Sequence, residues 1–81
     1  MIRVRFFANL REKLDCATTN LEYAGEHSAR EVKQKLLARG EQWQALAEHD
    51  LLVAVNQTIC GLDAQINDGD EVAFFPPVTG G

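Results

Sequence analysis

The chain is poor in almost everything that catalytic, secreted or membrane proteins put on display. Its 81 residues hold two cysteines, two prolines, one tryptophan and one tyrosine. Cys16 and Cys60 are far apart and sit in no C-x-x-C or ligand-spaced cluster, which leaves them as reduced structural thiols, the alternative being a redox or sulfur-relay role for either. No apolar stretch approaches the ~20 residues of a membrane span. The amino end has neither the apolar core nor the cleavage site of a secretory signal, so the expected compartment is the cytoplasm. Bases are outnumbered eight to twelve, for a net charge of −4. That argues against a nucleic-acid partner and favours a basic docking surface.

Catalytic signatures are missing as well. The sequence contains no G-x-x-x-x-G-K, G-x-G-x-x-G, G-x-S-x-G or H-E-x-x-H. His27 and His49 are isolated and read as surface or capping residues. Asp68, Asp70 and Glu71 read as an acidic turn, because no EF-hand spacing follows, so no metal site is expected. No nucleophile stands beside a base. By its own side chains the chain is not an enzyme, and it binds no cofactor.

What is present is the pattern of one small α+β domain over residues 1–75, followed by a tail over 76–81. Ile2, Val4 and Phe6 alternate with Arg3, Arg5 and Phe7, the period of a strand with one buried face. Phe7 thereby falls on the side of the arginines. Ala8 to Leu14 predicts a connector with one helical turn setting Leu10 above Leu14. Thr18 to Tyr23 predicts a second strand, antiparallel to the first. Ser28 and Glu31 have the spacing of a capping box, and Ala29, Val32, Leu36 and Leu37 form the apolar stripe of a helix that Gly40 is placed to stop. Trp43, Leu46 and Ala47 predict a further short helix. Leu51 to Val55, apolar on both faces, is an inner strand; Asn56-Gln57 turns it into Thr58 to Cys60. The turn signal Asn67-Asp68-Gly69-Asp70 leads into a last strand, Glu71 to Phe75. The order is β-β-α-β-β-β, a mixed five-stranded sheet over one main helix plus short helices.

The tail supplies the one chemical opportunity. Pro76 and Pro77 cannot donate to a ladder and force extended geometry on their predecessors. Val78, Thr79, Gly80 and Gly81 complete an arm of about 20 Å if fully extended at ~3.3–3.6 Å per residue. Glycine without a Cβ lets another protein's backbone or a nucleotide phosphate approach the Gly81 carboxylate. Adenylation would convert that carboxylate into a good acyl donor, after which sulfur or an amine can replace the nucleotide.

The Val55-Asn56-Gln57 segment, the run Asp68 to Pro77 and the closing Gly80-Gly81 resemble the small subunits of molybdopterin synthase, the MoaD type of ubiquitin-like sulfur carrier. The resemblance spans the chain, including Val4 to Ala8 and Leu10-Arg11-Glu12. It implies a β-grasp fold, and adenylation of Gly81 by an E1-like activating enzyme that uses ATP. Conversion to a thiocarboxylate would follow, then donation of sulfur to cyclic pyranopterin monophosphate to build the dithiolene in molybdenum cofactor biosynthesis. It further implies a large synthase subunit as partner, in a heterotetramer of two small and two large subunits, with the catalytic side chains on the large one. Asp15 departs from the family's frequent glycine, which Asp tolerates through its ease in left-handed geometry. The other readings are a modifier joined to lysine through Gly81, a carrier for thiazole or tRNA thiolation, and an interaction module with an inert tail.

The strand faces also predict a docking patch. Phe7 and Phe75 both lie opposite their strands' core residues, and the parallel pairing of first and last strands in a β-grasp sheet makes them neighbours where the tail departs. Ile59 extends the patch, and the tail residues Pro76, Pro77, Val78, Thr79 and Gly80 belong to the same partner-binding element. The alternative is that the chain's own loops cover Phe75.

Overall fold

The structure is a computed structural model that describes residues 1–25, 28–47 and 51–76. Among these, five strands form one mixed sheet: β1 (Ile2–Phe6), β2 (Thr18–Leu21), β3 (Leu52–Val55), β4 (Thr58–Cys60) and β5 (Glu71–Phe75), in the order β2-β1-β5-β3-β4. Helix α1 (Ala8–Leu14) follows β1, α2 (Ala29–Leu37) follows β2, and a 3₁₀ helix at Glu41–Leu46 precedes β3. The two innermost strands, β1 and β5, run parallel, with Val4 opposite Val72 and Phe6 opposite Phe74. β2 and β3 flank them antiparallel. This is the mixed α+β sheet that the element order implied, in the β-grasp arrangement that the resemblance implied.

Alternation decides which side chains reach the core. Ile2, Val4, Phe6, Leu21, Val53, Val72 and Phe74 line one face of the sheet and are buried there beneath Leu10 and Leu14 of α1 and Ala29, Val32 and Leu36 of α2. Trp43 and Leu46, from the 3₁₀ helix, close the end, with the Trp43 ring centroid 5.8 Å from that of Phe6. Phe6 in turn stacks on Phe74 at 6.3 Å. Each such side chain, taken from water, contributes about 1.5–3 kcal/mol.

Local chemistry sets the boundaries, and three of them differ from the sequence expectation. α1 is a helix of seven residues, not a single turn. Its N-cap, Phe7, has no side-chain acceptor, so the helix carries no start signal, and buried Leu10 and Leu14 hold it in place. It ends as expected at Asp15, which takes left-handed geometry (φ 51, ψ 42). There the Cys16 N–H donates to Arg11 O and the Asp15 N–H to Glu12 O, both at 3.2 Å, which is the Schellman pattern.

β2 stops at Leu21 and does not reach Tyr23. Its partner β1 begins at Ile2, opposite Leu21, so no ladder continues beyond it. Basic side chains take the carbonyls nearby, Arg39 Nη2 donating to Asn20 O at 2.9 Å and Lys35 Nζ to Glu22 O at 3.4 Å. At the start of α2 the capping box forms, with the Ser28 N–H donating to Glu31 Oε2 at 3.1 Å. The next amides of α2, Ala29 and Arg30, donate to Ala64 O and Leu62 O, so the 61–66 loop caps donors that a helix start leaves unpaired. The helix ends at Leu37, earlier than Gly40 implied, with Ala38 as C-cap. Gly40, at φ 152, instead precedes the 3₁₀ helix as its N-cap.

Candidate functional site

Among the described residues the sheet has helices on one face only, and its other face carries what the core does not need. Cross-strand register places Leu52 beside Phe75, Ala54 beside both Ala73 and Ile59, and Arg5 beside Ala73. Phe7 follows directly on β1, and its ring meets that of Phe75 edge-on, with centroids 6.4 Å apart. Phe7 is 39% and Ile59 68% exposed, making them two of the large exposed hydrophobics; Phe75 is half-buried. The predicted pairing of Phe7 with Phe75 is therefore present, and Ile59 lies on the same face, reached across Ala54 and Ala73. The chain's own described loops leave Phe75 partly open. Three contributors join them: Ala73, which the alternation of β5 puts on the Phe75 side, and Leu52 and Ala54, which only the register of β3 against β5 reveals, because an all-apolar strand conceals which face each residue takes.

A fourth is Arg5. Its Nη1 donates to Glu71 Oε1 at 3.2 Å, and its guanidinium carbon lies 5.2 Å from the Phe7 ring centroid. The arginine is held from two sides at the border of the patch.

The tail leaves from this patch. β5 ends at Phe75, and Pro76 is half-buried just beyond it. Pro77, Val78, Thr79, Gly80 and Gly81 lie outside the described residues, as do His27 and His49.

The acidic turn at the opposite end of β5 has structural employment. Asp68 accepts from the Met1 ammonium, and Asp70 Oδ2 from the Asn67 N–H at 2.8 Å. Asn56 ties the β3–β4 turn to it: its Nδ2 donates to Asp70 Oδ1 at 3.1 Å and its Oδ1 accepts from the Glu71 N–H at 3.0 Å. Both Asn56 and Gln57 have positive φ (50 and 69), the geometry of a two-residue type I′ hairpin. Among the described residues no group of three or more His, Cys, Asp or Glu side chains is placed to hold a metal ion. No helix among them is long and apolar enough to cross a membrane. Both cysteines are free thiols: Cys16 Sγ donates to Thr18 O at 3.3 Å and Cys60 Sγ to Val53 O at 3.7 Å.

Comparison with known proteins gives this geometry a family. The ThiS family model matches residues 4–81, from the middle of β1 through the tail. The chain belongs to the ThiS family. Within it, this ThiS-family protein is 45% identical over 82 residues to the molybdopterin synthase sulfur carrier subunit of Escherichia coli, with all of both chains covered. It is 44% identical over 84 residues to the protein of the same name from Haemophilus influenzae, again with full coverage of both. The resemblance read from the tail and the Asn-Gln turn is thus borne out along the whole chain. Solved structures share the fold. SAMP1 from Haloferax volcanii superposes with a TM-score of 0.80 at 24% identity, covering 99% of this chain and 98% of that one. Subunits 1 and 2 of the molybdopterin-converting factor from Helicobacter pylori form a complex whose matching chain gives a TM-score of 0.68 at 23% identity, with 99% and 97% covered.

Proposed function

We propose that this ThiS-family chain is the sulfur carrier subunit of a molybdopterin synthase. The observation that carries the reading is end-to-end identity of 44–45% to two proteins of that name. The geometry fits the role. The domain carries an apolar patch at the root of its tail.

In this reading the Gly81 carboxylate attacks the α-phosphorus of ATP on an E1-like activating enzyme, with loss of pyrophosphate. A sulfur nucleophile then displaces AMP from the acyl carbon and leaves a thiocarboxylate. The arm next enters the active site of the large synthase subunit, where the sulfur passes to cyclic pyranopterin monophosphate and Gly81 returns to a carboxylate. Two such deliveries build the dithiolene. The complex of subunits 1 and 2 from Helicobacter pylori supports a large-subunit partner, and we assign a heterotetramer of two small and two large subunits, working in the cytoplasm. Phe7, Phe75 and Ile59, with Pro76 to Gly80, form the docking element. The ATP belongs to the activating enzyme's site, so the carrier itself holds no cofactor.

Intact-mass measurement tests this. The chain is incubated with ATP and an extract of its host. A gain equal to one oxygen replaced by one sulfur at the C-terminus is the expected result. Attachment to other proteins would indicate a modifier, and an unchanged mass an inert tail; either overturns the reading.

A further inference from the structure

The charge on the open sheet face runs against the charge of the chain. Within the strands, register assigns Arg3, Arg5 and Glu71 to this face; its other residues there are Thr18, Asn20, Leu52, Ala54, Ile59, Ala73 and Phe75, all uncharged. Glu71 is engaged by Arg5 at 3.2 Å. Arg3, exposed and paired in register with Glu71 on one side and Asn20 on the other, makes no ion pair among the described residues. Within the strands this face therefore carries two arginines against one carboxylate, with the acidic turn of Asp68 and Asp70 beyond it at the Met1 end, on a protein whose net charge is −4. The charge is also fixed in place. Arg5 is tethered by the Glu71 carboxylate and lies against the Phe7 ring, so a guanidinium stands at the border of the apolar patch.

We propose that this face takes a protein partner whose apolar groove is bordered by carboxylates, placed to meet Arg3 and Arg5. The net charge alone pointed to a basic docking surface; local charge reverses that sign for this face. Charges at the rim of an interface act mainly on encounter and register, while the apolar centre supplies most of the affinity. A groove bordered by lysine or arginine would meet like charge beside Phe7 and be disfavoured. The inference rests on the function proposed above, and specifies the surface chemistry of the large synthase subunit where it covers this sheet.

The test is titration of the carrier against the large subunit from its own host, at low and at high salt. Three variants are compared with wild type: Arg3→Gln, Arg3→Gln with Arg5→Gln, and Phe75→Ala. Arg3→Gln leaves the Arg5–Glu71–Phe7 contacts intact, so it reports on charge and not on the shape of the patch. At low salt it should bind about two- to fivefold more weakly, and the double variant about tenfold. Wild-type affinity should fall as salt rises, and the double variant should lose most of that dependence. Phe75→Ala should weaken binding with the salt dependence unchanged. Wild-type binding that Arg3→Gln leaves equal or makes tighter would overturn the inference while leaving the function standing. A folded wild type that does not bind the large subunit at all would bring down the function and the inference together.

Discussion

Phe74 and Phe75 are neighbours in the chain and face opposite sides of the sheet, so replacing each by alanine separates folding from docking. Phe74 is 0% exposed and stacks on Phe6 at 6.3 Å. Its ring fills space between β1 and β3, from which the chain cannot retreat without disturbing both pairings. Truncation to alanine removes the transfer energy and leaves a cavity, at a cost of about 3–5 kcal/mol. A domain of this length holds about 4–12 kcal/mol in all, so Phe74→Ala should be severely destabilised and partly unfolded at physiological temperature. Phe75 makes one ring contact, edge-on to Phe7, and is half-open to solvent. Its loss should cost about 1 kcal/mol of stability. As a central aromatic of the docking patch it should cost more than about 1–2 kcal/mol of binding to the large subunit, or roughly 5- to 30-fold in Kd. Chemical denaturation gives the first pair of numbers and titration calorimetry the second. Comparable destabilisation by the two substitutions would refute the assignment of faces. A Phe75→Ala variant that binds as wild type would refute the assignment of the patch.

Three further outcomes follow from particular residues. Ala8 has φ 57, a left-handed geometry that costs a non-glycine residue about 1–2 kcal/mol; after the extra unfolded-state freedom of glycine is subtracted, Ala8→Gly should stabilise the fold and raise Tm by about 3–5 °C in a thermal melt. Cys16→Ser combined with Cys60→Ser should still accept sulfur at the terminus, as judged by intact mass, because both thiols are engaged by nearby carbonyls and the proposed carrier atom sits on the Gly81 carbonyl carbon; loss of thiocarboxylate in the folded double variant would reveal a relay thiol. The activating enzyme and the large subunit should compete for the carrier in a displacement titration, on the proposal that one apolar face serves both, and a ternary complex would contradict a shared patch.

Much of this was written in local signals. The β-β-α-β-β-β order came from alternation, the capping box and the turn residues, each a physical constraint that tertiary packing did not override. Phe7 and Phe75 were legible because an aromatic on the wrong side of an alternating strand has no core to enter. The patch was only half visible. Leu52 and Ala54 belong to a strand with apolar residues on both faces, where nothing local says which side stays open. Arg5 looked like an ordinary solvated residue until pairing brought Glu71 and Phe7 to it. α1 was underestimated because Phe7 is no cap, and the helix owes its existence to Leu10 and Leu14 meeting the sheet. The left-handed turn at Ala8 left no trace at all, because alanine carries no preference for it, whereas the one at Asp15 did. The tail, two prolines followed by small residues and two glycines, was legible as part of the family resemblance that the relatives bear out.

The central claim is that the acyl chemistry resides at Gly81 and nowhere else in the chain. Deleting Gly81 and measuring thermal melting together with molybdopterin formation, in a reaction reconstituted with the activating enzyme and the large subunit, tests it most directly. The account predicts an unchanged melt and no product. Product at the wild-type rate from the truncated chain would contradict it.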